Sequence, residues 1–313
     1  MVYDVWLYIK AIAVFTTKGT CSALSEMLGN TSHDRLNRVL TGNWSGQKLL
    51  EIALRLLFTV VGGYLIIDDT VIDKPFSKRI QGLSFVYDSS KKKTVFGYSV
   101  VILIWTDGQI RIPIAFRLWQ KGGLSKFSLA LEMLSYARNR LKLKPDFVLF
   151  DSWYASKKLL KRIRDYGWYF VTRLKKNRLL NGQQVKKYKK HPYWLEVGYL
   201  TGSIKVSVVR NGKKYYATNR LTLTRKEMLL HYSHRQSIEE VIKVLKSKLM
   251  IKDCQARSRA AQKHHFFLCM TAYIVLERES KEKRITIYKL KRRLSSQDIP
   301  LPLLHLERLK EAA

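Results

Sequence analysis

Three short stretches of the chain carry residue types able to act together chemically. Asp68 and Asp69 close the apolar run that starts at Tyr64, Asp151 closes a second run, Phe147 to Phe150, and Arg235, Glu239 and Lys246 share one helical segment, about Ser233 to Met250. Carboxylates gathered at one place serve as general acids and bases, or hold hard cations through oxygen. At about 100° per residue, Arg235, Glu239, Ile242 and Lys246 fall on one stripe beside the apolar stripe Ile238, Val241, Leu245 and Leu249. The helix thus packs by one side and presents its charges along the edge of that side. An ordinary surface helix gives the same pattern, with Arg and Glu four residues apart as a solvated ion pair. Asp68 and Asp69 are neighbours on a strand, so they point to opposite faces and only one can enter a shared site.

The elements that must position these residues read as α/β. Tyr64–Asp68, Val95–Trp105 and Gln109–Leu118 are strands, the last two joined through the turn Thr106-Asp107-Gly108. A helix capped by Ser125 runs to about Leu141, followed by the strand Phe147–Phe150, a helix over about 156–166 and a strand over 168–172. The order is β-β-β-α-β-α-β, with carboxylates at the C-terminal ends of the first and fourth strands. Residues 174–223 break that rhythm as a β-rich insertion, with strands over 194–199, 204–209 and 215–218 and a hairpin at Asn211-Gly212. Thr224 with Glu227 is a capping box that restarts helix, and a further helix spans about 260–277. The divisions are therefore a helical region over 1–60, a core over 61–173 and 224–280, the insertion, and a basic tail over 281–313.

Charge narrows the partners. Lys and Arg number 58 against 24 Asp and Glu, a net of +34, while 46% of the residues are hydrophobic. A disordered polycation lacks such apolar content, so this is a folded chain with a basic surface suited to a polyanion, first of all nucleic acid phosphate. Membrane is the second candidate, but no apolar run approaches the roughly 18 to 20 residues needed to span a bilayer. Met-Val-Tyr-Asp does not begin like a signal peptide, and Cys21, Cys254 and Cys269 form no disulfide framework, so a reducing, cytoplasmic location is expected. Residues 1–60 hold only 6 Lys and Arg against 4 Asp and Glu. There, helices at 22–28 and 34–40 separated by Gly29-Asn30 outline either a helix-turn-helix, led by Ser32, His33, Arg35, Asn37 and Arg38, or an ordinary bundle.

In this setting the helical stripe gains meaning. Tyr232, Arg235, Glu239 and Lys246 reproduce a Tyr-x2-Arg-x3-Glu-x6-Lys signature, and the chain resembles the DDE transposases of bacterial insertion sequences, those of the insertion-sequence-four superfamily. Ile66-Ile67-Asp68-Asp69-Thr70 resembles the family's first-Asp strand, and Leu149-Phe150-Asp151-Ser152-Trp153-Tyr154 its second-Asp motif. The resemblance extends over about Tyr64 to Glu277. It implies a ribonuclease-H-like catalytic core with a β-rich insertion, preceded by a small helical DNA-binding region. It further implies Asp68, Asp151 and Glu239 as catalytic metal ligands, with Asp-x-Thr selecting Asp68 over Asp69. Two Mg²⁺ ions, replaceable by Mn²⁺, would lie among them, and paired metals suit phosphodiester cleavage because they activate one oxygen and stabilise another. Tyr232, Arg235 and Lys246 would contact DNA phosphates. Trp194 would hold a base flipped from the DNA end, or else pack the insertion's core.

The implied partners are double-stranded DNA, both the inverted-repeat ends of the element and the target, and a second copy of the chain on that DNA, in a nucleoid-associated state. A nuclease of the same fold without strand transfer, and a non-catalytic DNA-binding relic, share most of these features. A carbohydrate hydrolase would have no evident use for the charge. His264, His265, Cys254 and Cys269 have no standard zinc spacing. Trp153 and Tyr154 read as packing residues, with DNA contact as the alternative, and Lys175 to Lys190 as either a solvated charge run or a phosphate-tracking surface.

Overall fold

The computed structural model describes residues 2–16, 18–77, 79–188, 194–296 and 304–311. Lys189, Lys190, Pro300 and Pro302 lie outside these. The chain begins with four helices, α1 (Val2–Val14), α2 (Cys21–Leu28), α3 (His33–Thr41) and α4 (Gly46–Leu57). Thr20, Ser32 and Ser45 cap the last three through their hydroxyls, and Gly29 ends α2 in the left-handed region that glycine adopts without strain. Then come β1 (Tyr64–Asp73), β2 (Ser84–Asp88), β3 (Lys93–Thr106), β4 (Arg111–Trp119), α5 (Lys126–Asn139), β5 (Phe147–Phe150), α6 (Lys157–Asp165) and β6 (Tyr169–Leu174). The insertion holds β7 (Leu179–Leu180), β8 (Gln183–Gln184), β9 (Leu195–Leu200), β10 (Ile204–Asn211) and β11 (Lys214–Thr218). Among the described residues the helices that follow are α7 (Arg225–Ser233), α8 (Ser237–Ser247), α9 (Arg259–Glu282), α10 (Ile287–Ser295) and α11 (Leu304–Glu311).

Among the described residues the strands form one sheet of eleven, mixed in direction. β1 lies between β3, its antiparallel partner from Tyr64↔Thr106 to Asp73↔Gly97, and β5, its parallel partner from Tyr64↔Phe147 to Ile66↔Leu149. β6 runs parallel to β5, and β4 lies antiparallel on β3 beside β2. From Val95 onward almost every residue of β3 is buried, so helices cover both faces of this part of the sheet. The insertion is continuous with it, because β11 pairs antiparallel with β6 and carries β10 and β9 outward. The long helix α9 is buried along most of its length, and α1, α3, α4, α10 and α11 all pack on it. The first and last segments of the chain therefore share one core.

Several expectations need correction. β1 continues to Asp73, so Asp68 lies mid-strand and not at a strand end, because β3 goes on pairing β1 after β5 has stopped. β2 is a strand that the sequence reading did not assign. Its turn into the lysine-rich start of β3 is closed by Asp88, whose Oδ1 accepts from Ser90 and Lys91 backbone N–H groups. The next strand starts at Arg111 and not Gln109, since the Asp107 carboxylate takes the N–H groups of Gln109 and Ile110 for the turn. The helix expected over Ser233 to Met250 is broken by a 3-10 turn at His234–Gln236. There His234 stacks on Tyr64 with ring centroids 4.5 Å apart. The tail forms helices, and Lys291 of α10 is buried, donating to the carbonyls of Ile12 and Lys248.

Candidate active site

The strand period sets the two acids of β1 on opposite faces. On one face Asp68 Oδ2 accepts from Arg235 Nη1 at 2.9 Å, and Nη2 of the same guanidinium reaches Glu239 Oε1 at 2.5 Å. On the other, Asp69 accepts from Lys126 Nζ at 2.5 Å and from the Tyr154 hydroxyl at 3.1 Å. Asp151 follows β5 directly. Continuing the pairing Ile66↔Leu149 by two residues brings it level with Asp68 on the adjacent strand. The backbone N–H groups of Trp153 and Tyr154 donate to Asp151 Oδ1 at 2.9 and 3.3 Å and fix that carboxylate in a tight turn. Asp68, Asp151 and Glu239 thus come from the middle of a strand, the end of its parallel neighbour and the first turn of α8, with Arg235 bridging Asp68 and Glu239.

Electrostatics agrees with this proximity. Burial pushes the Asp68 carboxyl up to about 7, and the nearby Asp69 and Asp151 add to the rise while Arg235 opposes it. Burial also pushes the Tyr232 phenol up to about 12, with Arg235 and Arg173 opposing and Asp151 adding, so Tyr232 borders the same group of charges. Its ring meets Tyr216 of β11 edge-on at 5.0 Å. Tyr232 therefore joins the site from α7, across the 3-10 turn from Glu239.

The other two expected DNA-binding residues, Lys246 and Trp194, have surroundings of their own. Lys246 is two helical turns beyond Glu239, where Asp88, Lys91 and Asp73 are its charged neighbours and burial lowers its pKa. Trp194 is 2% exposed and stacks on Tyr188 at 5.4 Å within the insertion, so it occupies the packing position. His264 and His265 are held by backbone carbonyls of Leu40, Trp44 and Met250 and by the Tyr8 hydroxyl. In the helix pair α2–α3, Arg35 is drawn back onto Asp4 at 2.5 Å, while Asn37 and Arg38 remain exposed.

The spacing of the sequence did not point to Lys126 and Tyr154 as partners of Asp69. They come from other elements, and nothing in a local pattern marks such a contact. The Phe127–Trp153 stack, at 4.3 Å and 9°, was equally hidden.

The donor set fits a hard divalent cation, since it consists of carboxylate oxygens without thiolate or imidazole. Among the described residues, however, only Glu279, Glu282 and His305 bring ligand atoms all within 4.8 Å of one another. Between Asp68 and Glu239 the Arg235 guanidinium takes that space and balances their charge.

No curated protein matches the chain. Among solved structures, a cryo-EM structure of the piggyBac transposase synaptic complex with hairpin DNA matches with a TM-score of 0.58 and 12% identity, covering 99% of this chain and 70% of that one. At that identity the likeness concerns the fold. A family model described as transposase DDE domain matches residues 62–275, which run from the turn before β1 into α9 and include all three candidate acids. Spanning more than half of the sequence, this match shows that the chain belongs to the transposase DDE-domain family.

Proposed function

We propose that the protein is a DNA transposase of the insertion-sequence type, which binds the ends of its element, cleaves a phosphodiester and joins the freed 3′-hydroxyl to target DNA. The observation that carries this reading is the Asp68–Arg235–Glu239 bridge, with Asp151 level with Asp68 on the adjacent strand. The order β4-β3-β1-β5-β6, antiparallel on one side of β1 and parallel on the other, supports a ribonuclease-H-like core. Asp68, Asp151 and Glu239 are the residues that would hold two Mg²⁺ ions, or Mn²⁺ in their place. Bound there, such a pair supplies an activated oxygen nucleophile and stabilisation of the leaving oxygen.

The chain's own residues do the rest. The turn after β5 holds Asp151 by two backbone N–H groups, so that ligand is fixed before DNA arrives. Lys126 and Tyr154 hold Asp69 on the opposite face of β1 from Asp68. Arg235 neutralises Asp68 and Glu239 in the absence of cations, and with Tyr232 it is positioned to engage a phosphate beside the carboxylates. The net charge of +34 supports extended phosphate contact, with a second copy of the chain holding the second DNA end.

The test is a strand-transfer assay with labelled element-end duplex, supercoiled target and Mg²⁺, run with a free and a blocked 3′-hydroxyl. Joined product from the free end alone is expected. Cleavage without joining would make the protein a nuclease, and neither product would make it a DNA-binding relic.

A further inference from the structure

Away from the active site, the end of α9 and the start of α11 bring together Glu279, Glu282 and His305, whose ligand atoms, one from each side chain, all lie within 4.8 Å of one another. The two acids are three residues apart and so share a face of α9, while His305 comes from α11. Each carboxylate is held from outside by a cation one helical turn away. Glu279 Oε2 accepts from Lys283 Nζ at 2.9 Å, and Arg278 Nε lies 3.0 Å from Glu282 Oε1. The other oxygen of each turns to His305. Glu279 Oε1 accepts from its backbone N–H at 3.1 Å, and Glu282 Oε2 lies 2.7 Å from its Nε2. His305 is 2% exposed, and its Nδ1 has no hydrogen-bond partner among the described residues. If Nε2–H donates to Glu282 from a neutral ring, Nδ1 is a bare lone pair; if the ring is protonated, Nδ1–H is a donor without an acceptor. Pairing with Glu282 therefore leaves this buried ring unsatisfied in both states, and that costs stability.

We infer that Glu279, Glu282 and His305 form a binding site for a divalent transition-metal ion, Zn²⁺ first of all, that fastens α11 to α9. The ion takes one oxygen from each carboxylate and a ring nitrogen of His305, and the neutral imidazole supplies the lone pair it needs. Three protein ligands leave a coordination position for water, and Glu282, 41% exposed, gives the ion a way in from solvent. The ligand types decide which ion is taken. Mg²⁺ draws on carboxylate charge and oxygen alone, and here Arg278 and Lys283 already offset that charge. Zn²⁺ gains in addition from the imidazole. The group formed by Asp68, Asp151 and Glu239 has carboxylates without imidazole and the opposite bias, so the two groups sort the two ions. A clasp here is structural, because α9 is the helix on which the first and last segments of the fold pack, and α11 is one of them. This inference does not depend on the proposed action on DNA.

The test uses the full chain, stripped of metal with EDTA and returned to buffer containing excess Mg²⁺. Zn²⁺ is then titrated in competition with a chromophoric chelator, and thermal melts are recorded with and without it. The wild type is expected to bind Zn²⁺ that Mg²⁺ does not displace, and at about 100-fold excess over Kd to melt higher by about 3 °C or more. Glu282→Gln, at an exposed position, is expected to weaken binding by about 10-fold or more and His305→Gln to abolish it, with the rise in Tm lost in both. Co²⁺ in place of Zn²⁺ is expected to give a visible d–d absorption that His305→Gln loses. Glu239→Gln, in the other acidic group, is expected to change neither the affinity nor the rise. Absence of a Zn²⁺-dependent rise in the wild type, a rise that excess Mg²⁺ erases, or one that survives in Glu282→Gln overturns the inference. Loss of the rise in Glu239→Gln alone would assign the ion to the active site and overturn it equally.

Discussion

Replacing either acid of β1 by its amide keeps shape and removes charge, yet the two faces of the strand predict opposite effects on stability in the presence of chelator. On one face, Asp69 holds Lys126 at 2.5 Å with both side chains about three-quarters buried, 24% and 21% exposed. Asp69→Asn forfeits that charge-assisted bond and leaves Lys126 without its acid, at a cost of ~1.5–3 kcal/mol, while the Tyr154 hydroxyl keeps an acceptor. On the other face, Asp68 has its carboxyl raised from 3.8 to about 7. A raised acid contributes its stability fully below the unfolded value and loses it as pH rises through the folded one. Between pH 3.8 and about 7 the folded protein therefore loses stability from this group, up to ~4 kcal/mol. Asp68→Asn removes that penalty together with the bond to Arg235, so a net gain of ~1–3 kcal/mol is expected at pH 8. Urea unfolding in EDTA at pH 5 and pH 8 reads both. Equal destabilisation by the two amides, or a neutral Asp69→Asn, would refute the assignment of Asp69 to structure and of Asp68 to a site that carries strain for function.

Three further outcomes follow from the packing. His265, fully buried between Tyr8 and Met250, has its pKa lowered from 6.5 to about 4, so stability should fall by ~3 kcal/mol as pH drops through that window. His265→Gln should be less stable at pH 7 but flat across the same window in pH-dependent thermal melts. At Gly97 an added Cβ would lie 2.2 Å from the Ile72 carbonyl oxygen, where β1 and β3 approach, so Gly97→Ala should destabilise by ~2 kcal/mol or more in urea. Trp194→Ala should cost ~3–5 kcal/mol, whereas Trp194→Phe should retain most stability together with wild-type DNA affinity; a folded Trp194→Phe that loses DNA in a gel-shift assay would return the residue to base contact.

Much of this was legible in the sequence because it rests on local rules. The period of two separated Asp68 from Asp69, and Ser32 and Ser125 marked the starts of α3 and α5 through bonds made within three residues. The i, i+4 pairing of Arg235 and Glu239 survived even though Arg235 lies within the 3-10 turn and Glu239 in the first turn of α8. What escaped depends on contacts distant in sequence. The length of β1 was set by β3 and not by its own residues. Tyr64 and His234, 170 positions apart in order, stack to fix the bend between α7 and α8. The tail read as charge and leucine alone, and only its docking on α9 and the burial of Lys291 made it part of the core. Lys246 fits the signature in sequence, and its neighbours Asp88, Lys91 and Asp73, brought to it from β1 and the β2–β3 turn, were not legible there.

The central claim is that Asp68, Asp151 and Glu239 act as one cation-dependent unit on DNA and that Asp69 does not belong to it. Cleavage of an element-end duplex in Mg²⁺ by Asp68→Asn, Asp69→Asn, Asp151→Asn and Glu239→Gln tests this directly, with gel-shift affinity as the control for folding. The account predicts loss of at least ~10²-fold in rate for the first, third and fourth with DNA binding retained, and cleavage within ~10-fold of wild type for Asp69→Asn. Loss of cleavage in Asp69→Asn with full activity in Asp68→Asn would contradict it.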